Sequence, residues 1–142
     1  MTGRFGQVLV EFSLVTLMTV LMLLFVVEMG RAVLVSTTVD NAAQEGVRYA
    51  IVHGNSRTTG STVDSASGPG SNPAQVITVV KNFASAGLLT TSRLVISVTY
   101  PQASNAPGDT VTVTVVYPYD PLTGYFSKTL RLGSSSTGVI TF

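Results

Sequence analysis

The sequence predicts an α+β protein in which one long N-terminal helix carries a small head, made of a short helix and a three-stranded antiparallel sheet. Three patterns support this prediction. An uncharged, mostly apolar run extends from Phe12 to Val27, and apolar residues then recur at helical spacing as far as Ile51. Two later stretches alternate apolar and polar residues with the period of two of half-buried strands. The 142 residues suffice for one small domain plus an appendage.

The first half of the predicted helix has the composition of a membrane span. About 20 apolar helical residues cross a hydrocarbon core of about 30 Å, and a helix satisfies its own backbone polar groups. The run from Val8 to Val27 reaches that length only if Glu11 is included. A carboxylate within the bilayer costs about 2.5–3.5 kcal/mol on insertion scales. Two interpretations therefore stay open: Glu11 lies at the headgroup level, or it is buried and meets a positive partner in an assembly.

A processing site is predicted just before the apolar run. Residues 1–6 form a short polar leader that contains Arg4 and ends in Gly6. A secretory signal would instead place its cleavage site after the apolar region. The predicted cut lies between Gly6 and Gln7 and would make Glu11 the fifth residue of the mature chain. The positive-inside tendency puts the N-terminus in the cytoplasm and the head outside, across a single span of the inner membrane.

The helix is predicted to extend from Gln7 to about Val52, on the order of 70 Å. Residues 7–30 form the transmembrane and assembly part, and residues 31–53 an amphipathic extension. Gly46 would let another element approach this extension closely, although glycine costs about 1 kcal/mol in a helix. His53 is expected to cap the helix end as a cation, and Gly54 to take a left-handed conformation there. The apolar stripe of the extension comprises Val35, Val39, Ala42, Ala43, Val47, Ala50 and Ile51.

Glu28 and Arg31 are the first charged residues after the apolar run, and they lie three positions apart on one helix face. Two interpretations stay open: the two side chains form an ion pair at the interface, or they stay solvated there and the arginine snorkels into the headgroup layer.

The remaining chain divides into a loop and a head. Residues 54–72, rich in Ser, Thr and Gly, are predicted to be exposed and mobile, and residues 73–142 form an extracytoplasmic α+β head. Its helix would be capped by Asn72, begin at Pro73 and stop at Gly87. The β-branched content of this segment leaves a strand as the alternative.

Three strands are expected after this helix. The alternating stretches 94–100 and 110–117 each end in a Tyr-Pro dipeptide, at Tyr100 and Tyr117, and should pair antiparallel. Residues 128–132 and 138–142 would supply a third strand, bent or bulged around residues 133–136, which read Gly-Ser-Ser-Ser.

The composition argues against catalysis. The chain has one histidine, no cysteine and a formal net charge of +1. Metal sites need clustered ligands, and His53 has no neighbours of that kind. No phosphate-binding glycine motif follows a predicted strand, and no basic field indicates nucleic acid. We therefore predict a protein that is not an enzyme and has no cofactor, metal or nucleic-acid partner.

Three segments in order resemble the TadE-like pseudopilins of the tight-adherence (Tad/Flp) pilus system, which are related to type IV pilins. The opening resembles the family's GQxxVEFAL and reads Gly6-Gln-Val-Leu-Val-Glu-Phe-Ser-Leu-Val. The segment 27–32 resembles (I/V)(E/D)xGR(A), and 41–50 resembles NAAREGARYA. The resemblance covers the first 50 residues and is looser beyond them.

The resemblance implies a pilin-like architecture and a function. A prepilin peptidase would cut between Gly6 and Gln7, and assembly would run through Glu11 and Phe12. In this family the glutamate is thought to pair with the N-terminal amine of a neighbouring subunit, so that two groups costly to bury alone are buried together.

The expected role is that of a minor pilin or pseudopilin, serving adhesion or pilus biogenesis. Its partners would be the peptidase, other pilin subunits, the assembly platform and membrane lipid. It would lie in the inner membrane or in a surface pilus. The alternatives are an unprocessed, single-span, membrane-anchored binding module, and a self-assembling major filament subunit.

Overall fold

The computed structural model describes residues 3–55, 68–69, 73–122 and 129–142. In chain order the elements are helix α1 (Gly3–Val52), helix α2 (Pro73–Ala86), a short 3-10 turn (Thr91–Arg93), and strands β1 (Val95–Thr99), β2 (Thr110–Tyr119) and β3 (Leu130–Val139). The strands form an antiparallel sheet in the order β1-β2-β3. The predicted α+β class is confirmed.

Helix α1 is a single helix of 50 residues, about 75 Å long. Its predicted end at Val52 is confirmed, whereas its predicted start at Gln7 is wrong, because the helix begins at Gly3. No proline interrupts residues 3–6, and Gly6 weakens a helix by about 1 kcal/mol without ending it.

At the end of α1 the predicted contact of His53 with the helix terminus is present, whereas the predicted left-handed conformation of Gly54 is wrong. Nδ1 of His53 lies 2.8 Å from the carbonyl oxygen of Tyr49, and the two rings stack at 3.8 Å. Gly54 has no left-handed backbone. It is needed for space, because a Cβ there would collide with the carbonyl oxygen of Phe142.

Helix α2 begins at Pro73 and ends at Ala86, as predicted. The left-handed residue that follows it, however, is Leu88, with φ 63°, and not Gly87. The N–H of Leu89 donates to Ala84 O at 3.1 Å, and the N–H of Leu88 to Ser85 O at 3.0 Å. This is the Schellman arrangement with leucine in the usual glycine position, which costs roughly 1–2 kcal/mol.

Strand β2 runs past its predicted end at Tyr117 and continues through Pro118 to Tyr119. Strand β1 pairs with β2 only as far as Val116. Pro118 therefore lies where β2 has no neighbour on that side, a position that tolerates a residue without an N–H.

The predicted bulge in the third strand is wrong. Ten consecutive residues of β3 pair one to one with β2, from Leu130 opposite Tyr119 to Val139 opposite Thr110. Ser134, Ser136 and Gly138 share the face of β3 that lies towards α1, and a Cβ on Gly138 would be 2.6 Å from Val47. These small residues let the helix approach the strand; they do not bend it.

The core lies between the second half of α1, helix α2 and the inner face of the sheet. The predicted close approach at Gly46 is confirmed, because a Cβ there would lie 2.6 Å from Val80 and 3.1 Å from Val113. Most of the loop predicted over 54–72, and the predicted cap Asn72, lie outside the described residues. Within that loop, Gly68 is buried against the side chain of Asn105 and is not exposed as predicted. The fully buried side chains include Val39, Val76, Val80, Val111, Val113, Val115 and Ile140.

Candidate assembly and anchoring surface

The first half of α1, from Gly6 to Val27, is not buried by the head. Every residue from Gly6 to Val27 is exposed, although the segment is almost wholly apolar. By length and composition this helix could cross a membrane, and none of its most apolar window is buried. An apolar surface on all sides of a helix is stable only within lipid or against other apolar helices.

Two of the three hydroxyl side chains within this apolar surface, those of Ser13 and Thr19, bond to their own helix. The hydroxyl of Ser13 donates to Val10 O at 2.8 Å, and that of Thr19 to Val15 O at 2.9 Å. Their hydroxyl groups are thus satisfied without water, and this lowers the cost of placing them in lipid.

Glu11 is the one charged residue of the span from Val8 to Val27. It is exposed and shares a helix face with Val8, Phe12 and Val15. Its carboxylate has no hydrogen-bond or ion-pair partner in the described part of this single chain. The same carboxylate borders a shallow groove with Gly6 and Gln7, so the structure brings the predicted processing site and the predicted assembly residue together.

Glu28 lies where the apolar surface ends, and it joins the helix to the sheet. Its carboxylate accepts hydrogen bonds from the hydroxyl of Tyr119 and, at 3.1 Å, from the backbone N–H of Leu122. Arg31 Nη1 is 3.7 Å from the same carboxylate, and the Glu28 side chain is only 13% exposed. We call this cluster of Glu28, Arg31 and Tyr119 the latch.

The latch is more than the predicted pair of Glu28 and Arg31. The guanidinium carbon of Arg31 lies 5.5 Å from the centre of the Tyr119 ring, a cation–π distance. Burial, and then the hydrogen bond to Glu28, raises the pKa of the Tyr119 hydroxyl. Sequence reasoning missed Tyr119, although it continues the buried alternation of β2 beyond Tyr117.

A second ion pair lies close to the latch. Arg93 Nη2 donates to Asp120 Oδ2 at 2.5 Å. This bond lowers the pKa of Asp120 and raises that of Arg93. Arg31, Arg93, Tyr117 and Tyr119 line a cavity of about 240 Å³ between α1 and the head.

The chain has a single histidine, His53. His53 is engaged with Tyr49 at the end of α1. Within the described residues, no three His, Asp or Glu side chains come together as a metal site would require.

The fold and this surface define a class of protein: a helix able to anchor in a membrane, with a small α+β head packed on its distal half. The comparison with known families is more particular. Residues 6–48 match the family described as TadE-like protein, so the resemblance predicted from three motifs is confirmed. The members of that family are structural components of pili, and the family is not known to be enzymatic. No curated protein and no solved structure matches the chain.

Proposed function

We propose that the protein is a minor pilin or pseudopilin of a Tad or type IV-type pilus. It is inserted in the inner membrane with its N-terminus inside, cut by a prepilin peptidase between Gly6 and Gln7, and assembled through the first half of α1. One observation carries the proposal: residues 6–27 are apolar and exposed, whereas the second half of the same helix is buried by its own head. The first half therefore has no part in folding the head, and its apolar surface requires lipid or other subunits.

Glu11 is the proposed pairing group for assembly. Cleavage after Gly6 would leave an N-terminal amine on Gln7 of each subunit. This amine carries one positive charge, opposite to the charge of the Glu11 carboxylate. An isolated carboxylate is costly within an apolar assembly, and pairing it with an amine reduces that cost. The groove that Glu11 shares with Phe12 and Val15 would receive the neighbouring helix.

The proposed cleavage site is compatible with the helical start of the chain. The bond between Gly6 and Gln7 lies within α1, so a peptidase must first unwind the turn around it. Residues near a helix terminus open at low cost, and glycine weakens the helix by a further 1 kcal/mol or so. Gly6 thus favours local opening at the site.

The test is the N-terminal sequence and intact mass of the protein purified from its native membrane and from sheared surface material. A chain starting at Gln7 is expected, and deletion of the prepilin peptidase should restore a longer chain. A chain that keeps its leader while the peptidase is active would contradict the proposal and leave the membrane-anchored binding module.

Glu11→Ala tests the assembly role separately. The variant should be cut and membrane-bound but absent from the sheared pilus fraction. Glu45→Ala is the matched control, because Glu45 lies on the same helix outside the apolar surface and should assemble normally. Equal assembly of both variants would overturn the role of Glu11.

A further inference from the structure

We propose that the end of the head nearest the membrane span docks on the lipid headgroups while the subunit is anchored in the inner membrane. The leaflet concerned is the one that faces away from the cytoplasm. The docking surface, here called the rim, consists of Leu34, Leu88 and Leu122. The inference rests on the membrane anchoring in the proposed function and adds a second, peripheral membrane contact to it.

The first observation is the position of Leu122. Its backbone N–H is bonded to Glu28, so it is held at the level where the apolar run of α1 ends. Its side chain is nevertheless 69% exposed. If Val8 to Val27 crosses the hydrocarbon core, Leu122 lies at the boundary between the acyl chains and the headgroups. If the span runs from Phe12 to about Gly30 instead, Leu122 lies deeper still.

The second observation is Leu88, which is 94% exposed despite a left-handed backbone. Glycine would satisfy this Schellman position without strain, so an exposed leucine here is unfavourable for the isolated head. Leu88 borders the same cavity as Arg31 and Leu34. Contact of the leucine with lipid would offset this cost.

The third observation is the continuity of the rim with the span. Leu34 is 70% exposed and lies six residues beyond Glu28, about 9 Å farther along the helix. The headgroup layer occupies about 5–7 Å on each side of the hydrocarbon core. At about 9 Å beyond Glu28, Leu34 lies just past the outer edge of this layer, so the rim extends from the acyl boundary through the headgroups.

The polar residues beside the rim suit the same layer. Arginines at membrane–water interfaces reach towards phosphate. Arg31 and Arg93, whose side chains are 41% and 40% exposed, border the same cavity as Leu88.

The test uses the full chain in vesicles of phosphatidylcholine and phosphatidylglycerol. The protein contains no tryptophan, so each of Leu122→Trp, Leu88→Trp and Phe25→Trp gives a single fluorescent reporter. Phe25 lies in the span. Val139→Trp is the matched control, an exposed apolar residue at the far end of a strand about 33 Å long.

Lipids brominated at shallow or deep acyl positions should quench the reporters in a fixed order. We expect the strongest loss of fluorescence at position 25, then at 122, then at 88, with none at 139. A blue-shifted emission at 122 and 88, relative to 139, should accompany it. Quenching at 25 with none at 122 and 88 would overturn docking but leave the anchored helix. No quenching at 25 would remove the membrane anchoring itself, and docking with it.

Leu88→Gly gives a readout that does not depend on a reporter at that site. It should raise the thermal midpoint of the head by relieving the left-handed strain, and in the Leu122→Trp background it should reduce the quenching of the reporter. A higher midpoint with unchanged quenching would overturn the role of Leu88 in docking.

Discussion

The two halves of α1 differ in which residues surround the helix, and this decides what each half can contact. From Gly6 to Val27 large apolar residues lie on every side and all are exposed. From Val39 to Ala50 the buried face is mostly small, while residues such as Asp40 and Arg48 stay in solvent. Large side chains all round require lipid or neighbouring helices, whereas a small-residue stripe requires a sheet at close range. One unbroken helix thus has an assembly half and a head-building half.

Substitutions at Gly46 and Gly30 should give the largest difference in stability between the head-building part of α1 and the part outside the core. Leucine at Gly46 would overlap Val80 and Val113, so Gly46→Leu should lower the free energy of unfolding by about 3 kcal/mol, at the upper end for overpacked cores. Nothing lies within 4 Å of a Cβ at Gly30. Gly30→Leu should change stability by less than about 1 kcal/mol, in the stabilising direction. Chemical denaturation in detergent measures both; equal losses would contradict the division.

The two Glu–Arg pairs of α1 should differ in their contribution to stability by an intermediate amount. Glu28 and Glu45 each lie three residues before an arginine, but only Glu28 bonds to the sheet. Glu28→Gln should cost about 2 kcal/mol, because it weakens hydrogen bonds to a largely buried charge. Glu45→Gln removes only an exposed pair and should cost about 0.5 kcal/mol. Thermal unfolding of the two variants side by side checks this, and similar midpoints would mean that the latch does not hold the head.

The latch should also make the folded protein less stable at alkaline pH. The folded-state pKa of Tyr119 is raised above its ordinary value of about 10. Its stabilising contribution is therefore complete below pH 10 or so and is lost as the pH rises through the folded-state pKa. In denaturation between pH 8 and pH 12, Tyr119→Phe should lose less stability than the parent. Tyr117→Phe is the control and should keep the parental loss; a Tyr119→Phe profile parallel to the parent would exclude this cause.

The smallest expected effect belongs to the exposed pair of Asp120 and Arg93. The hydrogen bond from Arg93 lowers the pKa of Asp120, so its contribution is present above the ordinary carboxyl pKa of about 4 and is lost as the pH falls through the lowered value. Asp120→Asn should slightly reduce the loss of stability at acidic pH and leave the stability at pH 7 nearly unchanged. Denaturation midpoints from pH 2 to pH 6 provide the check, and a large loss at pH 7 would contradict it.

Local patterns in the sequence predicted most elements, and tertiary packing explains the rest. The end of α1, the start of α2 and the alternation of β1 and β2 each depend on neighbouring residues. The straight course of β3 does not depend on neighbouring residues. Its small serines and glycines are explained by the helix that packs closely against them. Gly54 looks like a helix cap in the sequence, and only the chain end folded over it shows that it provides space.

The candidate site divides in the same way. Gly6, Gln7 and Glu11 form one local motif and could be found from spacing alone. The latch joins residues 91 positions apart, and no local signal links Glu28 with Tyr119. Leu88 could not be singled out either, because the glycine just before it is the usual choice for a left-handed helix end.

The most direct test of the division of α1 is the folding of a fragment that comprises residues 28–142, expressed without the assembly half. We predict a soluble, folded head at micromolar concentration, with the thermal midpoint of the full chain in detergent, because residues 6–27 are all exposed and not buried by the head. A fragment that stays unfolded, or whose midpoint falls far below that of the full chain, would show that the first half of the helix is part of the head's own fold and would contradict the account.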